Sequence, residues 1–181
     1  MLLPQGMSVF CTLQEAVAEA LPFKNEWFER VVMRLSLHHL DRPRALQEAA
    51  RVLVPGGRLV VGTFDPKQFA DYWLTQFFPS IALIDEARFP DQATLERELG
   101  EAGFAAPKTE RLTQQARLSR AEALERIRCR YISTLRAMDG AEFDQGLAAA
   151  EADLPSEVEY RIKWLIVSAG KLPLDAVRTR G

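Results

Sequence analysis

Cysteine and histidine are both scarce: the 181 residues hold only Cys11 and Cys129, and only His38 and His39. Two cysteines build no disulfide framework, and so few ligands make no zinc site, so no metal is expected and a reducing, cytoplasmic setting is. No apolar run approaches the roughly 18–20 residues needed to span a bilayer, and no membrane partner is expected. The opening MLLPQGMSVF lacks basic residues and has too short an apolar stretch for a secretory leader. An excess of charge is missing as well. Against 25 acidic residues stand 23 basic ones, a net charge of −2, which gives no global reason for nucleic acid as a partner. Glycine is thin at the start, where Gly6 is the only one before Gly56.

What is present is ordinary globular composition, 48% apolar and 27% charged, at a length that suits a single domain over 1–181. Residues 12–20 pair Thr12 with Glu15 at capping-box spacing, which suits a helix start; a strand running into a loop at Pro22 fits equally well. In FERVVMRL, 28–35, the run Val31-Val32-Met33 has the pattern of a strand buried on both faces. A helix follows over 41–53, with Asp41 as N-cap, Pro43 in the first turn, and Leu46, Ala49, Ala50 and Leu53 in one stripe. Pro55-Gly56-Gly57 is a turn in which Gly56 takes the positive φ, and Leu59-Val60-Val61 repeats the doubly buried strand pattern. Strand, helix, turn, strand is a βαβ crossover, the unit of parallel sheets.

The second half reads as mostly helical. Residues 67–78 carry Phe69, Tyr72, Trp73, Phe77 and Phe78 on an expected helix ended by Pro79. These rings could line a pocket for a flat, apolar molecule or pack into a core. A helix over 91–102 ends at Gly103. Ser119 and Glu122 form a capping box that opens a long amphipathic helix expected over 119–138, with Leu124, Ile127, Tyr131, Leu135 and Met138 on its apolar face. Residues 156–168 alternate Val158, Tyr160, Ile162 and Trp164 with charged neighbours, a long strand whose Leu165-Ile166-Val167 end enters the sheet interior. The tail, 170–181, reads as frayed. Lys108–Arg136 is strongly basic and Asp139–Glu159 wholly acidic among its charged residues, and the two blocks are expected to pair with each other rather than bind nucleic acid.

AEALPF at 18–23, FERVVMRLSLHHLDRP at 28–43 and ALQEAARVLVPGGRLVVGTFDP at 45–66 together resemble the middle of a class I S-adenosylmethionine-dependent methyltransferase. The likeness is to the branch containing the ubiquinone/menaquinone C-methyltransferases, and it is strongest over 16–66. It implies an α/β fold: the C-terminal part of a Rossmann-like, doubly wound, mostly parallel sheet, with a helical insertion about 67–155 before a final strand about 156–168. It also implies S-adenosylmethionine as cofactor, bound at the carboxyl ends of the strands, and a small-molecule acceptor.

Carried across position by position, the resemblance implies donor contacts from Val17, Ala18, Glu19 and Arg34. Val17 stands where the family usually has Asp or Asn, which removes a side-chain hydrogen bond to the adenine. His38 and His39, just after the first strand, are the candidate acceptor-side residues; either imidazole could serve as a base or as packing. The family's N-terminal glycine-rich loop and following acidic strand end have no counterpart, so the donor site is expected to be incomplete and the chain truncated relative to the family. Without those strands 28–35 becomes an apolar sheet edge. Residues 1–20 folded over it, a homodimer through it, or a start internal to a longer product would each account for it. Three functions follow: methyl transfer to an unknown small molecule, a non-catalytic remnant acting as an interaction module or subunit, and, third in order, nucleic-acid binding through the basic stretch 108–136.

Overall fold

A computed structural model describes residues 12–172. The opening segment with Gly6 and Cys11, and the tail from 173, lie outside the described residues. In chain order the elements are β1 (Phe28–Arg34), α1 (Arg42–Val52), β2 (Leu53–Phe64), α2 (Ser80–Arg88), α3 (Gln92–Glu101), β3 (Phe104–Ser119), α4 (Arg120–Arg128), α5 (Ser133–Ala137), α6 (Gly140–Asp153) and β4 (Glu157–Lys171). Short 3-10 turns follow β1 at Leu37–His39 and β2 at Pro66–Asp71.

The sheet order is β1-β2-β4-β3. β1 and β2 are parallel, and β4 lies antiparallel between β2 and β3, so three strands share one direction and β4 alone opposes them. The β1–α1–β2 crossover is the unit expected from the sequence, and it is set by local chemistry. The Asp41 carboxylate accepts from the Arg44 N–H at the start of α1, and Gly56 takes φ +76° near the amino end of β2 rather than in a separate turn before it.

One face of the sheet is sealed. Met33, Leu59, Val61, Leu165, Val167 and Ala169 are buried against Ala45, Leu46 and Ala49 of α1 and Leu95 and Leu99 of α3. Each fully buried Leu or Val of this kind contributes about 1.5–3 kcal/mol relative to exposure. The expected burial on both faces is not found. Val32 is 69% exposed and Val60 half-buried, because among the described residues no helix packs over them. β1 pairs only with β2 there and forms the sheet edge.

Three helical expectations are corrected. The insertion over 67–155 is interrupted by β3, whose side chains are exposed on both faces over most of its length and so carry no alternating apolar signal. Residues 67–78 form a 3-10 turn and tight turns rather than a helix. The helix over 119–138 starts at the expected Ser119 capping box but breaks after Arg128, with Arg130 at φ +48°, and resumes as α5. Residues 12–20 take neither alternative, forming a single Val17–Ala20 bridge. The expected fraying does not reach Lys171, whose ammonium donates to the Leu53 carbonyl at 2.7 Å.

α4, α5, α6 and the amino half of β4 enclose a second core around Leu74, Phe78, Ile127, Leu135 and Leu154. The charge blocks meet here, with Arg128 on Glu151 at 2.7 Å and Arg117 on Glu159 at 2.7 Å. At Gly146 on α6, an added Cβ would lie 2.3 Å from the Phe78 ring and 2.6 Å from the Phe77 carbonyl. Gly146→Ala is therefore expected to lower stability by about 1–3 kcal/mol. Urea unfolding would show a lower midpoint at an unchanged slope.

Candidate functional site

Beyond the carboxyl ends of β1 and β2 lies a cavity of about 260 Å³. β1 ends at Arg34, and Leu35 turns the chain with φ +49°, which delivers the 3-10 turn carrying His38 and His39 to the rim. β2 ends at Phe64, and the following 3-10 turn brings Gln68 and Phe69 beneath it. Gln68 is held there by accepting the Lys163 N–H at 2.7 Å. From the other side come Asp85 and Phe89 at the end of α2, Tyr131 and Ile132 from the break between α4 and α5, and Ser133, Thr134 and Arg136 from α5.

The floor is aromatic. The Phe69 and Phe89 rings lie 4.9 Å apart between centroids, Phe64 and Phe89 stack at 5.9 Å, and His38 stacks on Phe89 at 4.1 Å. Tyr72 and Tyr131 close one side with their hydroxyls 2.5 Å apart, and burial pushes both phenols up from the ordinary tyrosine value. The aromatic set at 69–78 thus divides. Phe69 and Tyr72 line the cavity, whereas Trp73, Phe77 and Phe78 pack into the second core.

On the opposite side, the lining residues His39, Asp85, Ser133 and Thr134 are tied together by Arg88. Its guanidinium reaches His39 Nδ1 at 3.1 Å, donates to Ser133 Oγ at 3.2 Å, and lies 3.6 Å from the Asp85 carboxylate. Thr134 Oγ1 donates to that carboxylate at 2.6 Å. Burial pushes the Asp85 carboxyl up, against the opposing pull of Thr134 and Arg88. Both imidazoles are pushed down. For His39 the causes are burial, then the Arg88 and Arg136 charges; for His38 they are burial, then His39 and Arg88, and its value falls to about 4. Both rings are neutral at physiological pH.

The expected donor-side residues lie apart from this wall. The Val17 side chain is 62% exposed, Ala18 packs against the first core, and Glu19 Oε1 accepts the Asp41 N–H at 2.9 Å. Arg34 is exposed at the end of β1, with its guanidinium 5.0 Å from the Trp164 ring centre. The segment carrying the first three is pinned through Arg51, which donates to the Leu21 and Phe23 carbonyls and pairs with Glu48. As one side of a donor site these residues fit in part. Val17 offers open apolar surface and Arg34 an unpaired cation among the described residues, but one Glu19 oxygen is already engaged. The sequence did not point to Asp85, Arg88, Thr134 or Arg136. They sit on segments with ordinary helical patterns, and only the α4–α5 break and the placement of α2 bring them to the histidines. Among the described residues no group of metal-ligating side chains is found, and no helix is long and apolar enough to cross a membrane.

Protonating His38 charges a group that the fold holds away from water, so the folded state binds fewer protons than the unfolded chain between pH 6.5 and about 4. The stabilising effect of neutral His38 is fully present above pH 6.5 and is lost as pH falls toward 4. An NMR titration should place the His38 ring midpoint near 4, and in Arg88→Gln both histidine midpoints should rise. A midpoint of 6.5 for His38 would contradict the burial described.

Residues 3–61 match the family model described as a methyltransferase domain. The ubiquinone/menaquinone biosynthesis C-methyltransferase of Vibrio campbellii is 34% identical over 119 residues, covering 55% of this chain and 46% of that protein. The enzyme of the same name from a Marinomonas species is 30% identical over 129 residues, covering 60% and 51%. The chain spans about half the length of the curated relatives it matches. In solved structures its fold is similar to a putative methyltransferase of Bacillus halodurans, with TM-score 0.55 at 18% identity over 87% of this chain and 70% of that one. It is also similar to the YcgJ protein of a Bacillus species, with TM-score 0.57 at 16% identity over 88% and 70%. Over residues 3–61 the chain is thus similar to methyltransferase domains, and in fold it is similar to solved methyltransferase structures.

Proposed function

We propose that this chain serves S-adenosylmethionine-dependent methyl transfer to a small, flat acceptor, supplying the acceptor cavity and one side of the donor site. The observation that carries this reading is where the cavity lies. It opens at the carboxyl ends of two parallel strands, the place where doubly wound sheets bind ligands, and its floor is built of rings. Relatives named for ubiquinone and menaquinone C-methylation accord with a ring-shaped acceptor.

The donor, when bound, supplies an electrophilic methyl group. The remaining work is positioning, and this chain's residues suit it. Phe64, Phe69 and Phe89 hold a flat ring and exclude water beneath it, while His38 and His39, with His39 held by Arg88, fix its in-plane orientation. On the donor side, Val17 and Ala18 would border the adenine, Glu19 would offer its remaining oxygen, and Arg34 would stand at the strand end. The exposed β1 edge, with Val32 open to solvent, favours a second reading in which the chain is a non-catalytic interaction module or pairs with a second copy there.

Calorimetric titration with S-adenosylhomocysteine separates the two. Binding near micromolar affinity, about −8 kcal/mol, with amide shifts at Ala18, Arg34 and His38, is the result expected of a donor site. No heat up to millimolar ligand would remove the transfer reading for this chain and leave the edge as its working surface.

A further inference from the structure

The polar lining of the cavity is weighted toward hydrogen-bond donors, with one oxygen of Asp85 engaged by Thr134 and Arg88. Arg88 can only donate, so the His39 Nδ1 that faces it at 3.1 Å is the bare nitrogen, and the His39 proton sits on Nε2. His38 Nδ1 is buried without a partner. A buried bare nitrogen is better tolerated than a buried orphan N–H, so the His38 proton also sits on Nε2, on a ring that lines the cavity. Ser133 Oγ accepts from Arg88, which leaves its hydroxyl hydrogen free to point inward.

The one carboxylate on the wall, Asp85, is occupied by Thr134 and offset by Arg88. Arg136 is then the unbalanced charge. Its Nη1 donates to the Arg130 carbonyl at 2.8 Å, and among the described residues its Nε–Nη2 edge has no partner. That edge has the planar fork geometry that matches a carboxylate. No acidic side chain pairs with Arg136 among the described residues, although it lines the cavity.

We propose that the acceptor is a flat ring bearing a carboxylate, gripped by the free fork of Arg136 and by the Nε2–H groups of His38 and His39, with the ring on Phe64, Phe69 and Phe89. This rests on the reading of the cavity as the acceptor site. It goes further by assigning the acceptor's charge and by making the two histidines neutral donors, not bases. A ligand without an acceptor group would leave the Arg136 fork and the imidazole N–H groups without a ligand partner, and a site built to hydrogen-bond its ligand discriminates against such analogues.

The test uses two probes of one shape, 2-naphthoate and 2-naphthamide, titrated into the full chain without methyl donor. The carboxylate should bind at least tenfold more tightly, and Arg136→Gln should abolish that preference. Arg136 is exposed, so the variant should fold, and its melting curve would confirm that. Equal binding of the two probes, or a preference that survives Arg136→Gln, overturns the carboxylate assignment and keeps the cavity as a ring site. Failure of both probes to bind overturns the cavity reading itself, and this inference with it.

Discussion

Everything in this fold hangs on β4, the one strand that runs against the others. Paired with β2 on one side and β3 on the other, it holds together two halves of the chain that are distant in sequence. Its carboxyl half buries Leu165, Val167 and Ala169 beneath α1 and α3, and its amino half gives Val158 to the second core. Ile162, between these stretches, lines the cavity. A single strand thus anchors two cores and leaves a gap where they diverge, and that gap is the candidate site. Antiparallel insertion makes this possible because β4 runs beyond the carboxyl end of β2, where Phe64 pairs with Trp164, before it enters the interior of the sheet.

The chemistry of the gap follows from desolvation. Three groups that are ordinarily charged or chargeable, Asp85, His38 and His39, line the gap, and Arg88 contacts two of them. Removing them from water raises the Asp85 carboxyl and lowers both imidazoles, and the guanidinium reinforces the second effect while opposing the first. Arg88 is the hub because a guanidinium can donate in several directions at once and cannot lose its charge. The histidines become uncharged donors through this arrangement, which the His-His pair in the sequence does not reveal.

The sequence was legible where local chemistry decides structure. Asp41 as a cap, Gly56 at positive φ, the Ser119 capping box and the alternation leading into β4 each act within a few residues of themselves, and each is found. It was less legible where an element is defined by what it pairs with. β3 shows no apolar alternation because it is a sheet edge, solvated on both faces, and its strand character comes from its ladder with β4. The helix expected over 119–138 fails for a similar reason. Its apolar positions serve two surfaces, so the chain breaks at Arg130 and turns Tyr131 onto Tyr72.

The residues of the site divide along the same line. His38, His39, Phe69 and Tyr72 stand out in the sequence by residue type and by their place after strands, and they line the cavity. Asp85, Arg88, Thr134 and Arg136 do not, because their role exists only once α2 and α5 meet across the end of the sheet. The sequence by itself determined the β1–α1–β2 crossover and the final strand, since these depend on periodicity and capping along a continuous stretch. Only the tertiary structure decided the sheet order, the cavity and the charge states within it, because each is set by contacts and burial between segments dozens of residues apart.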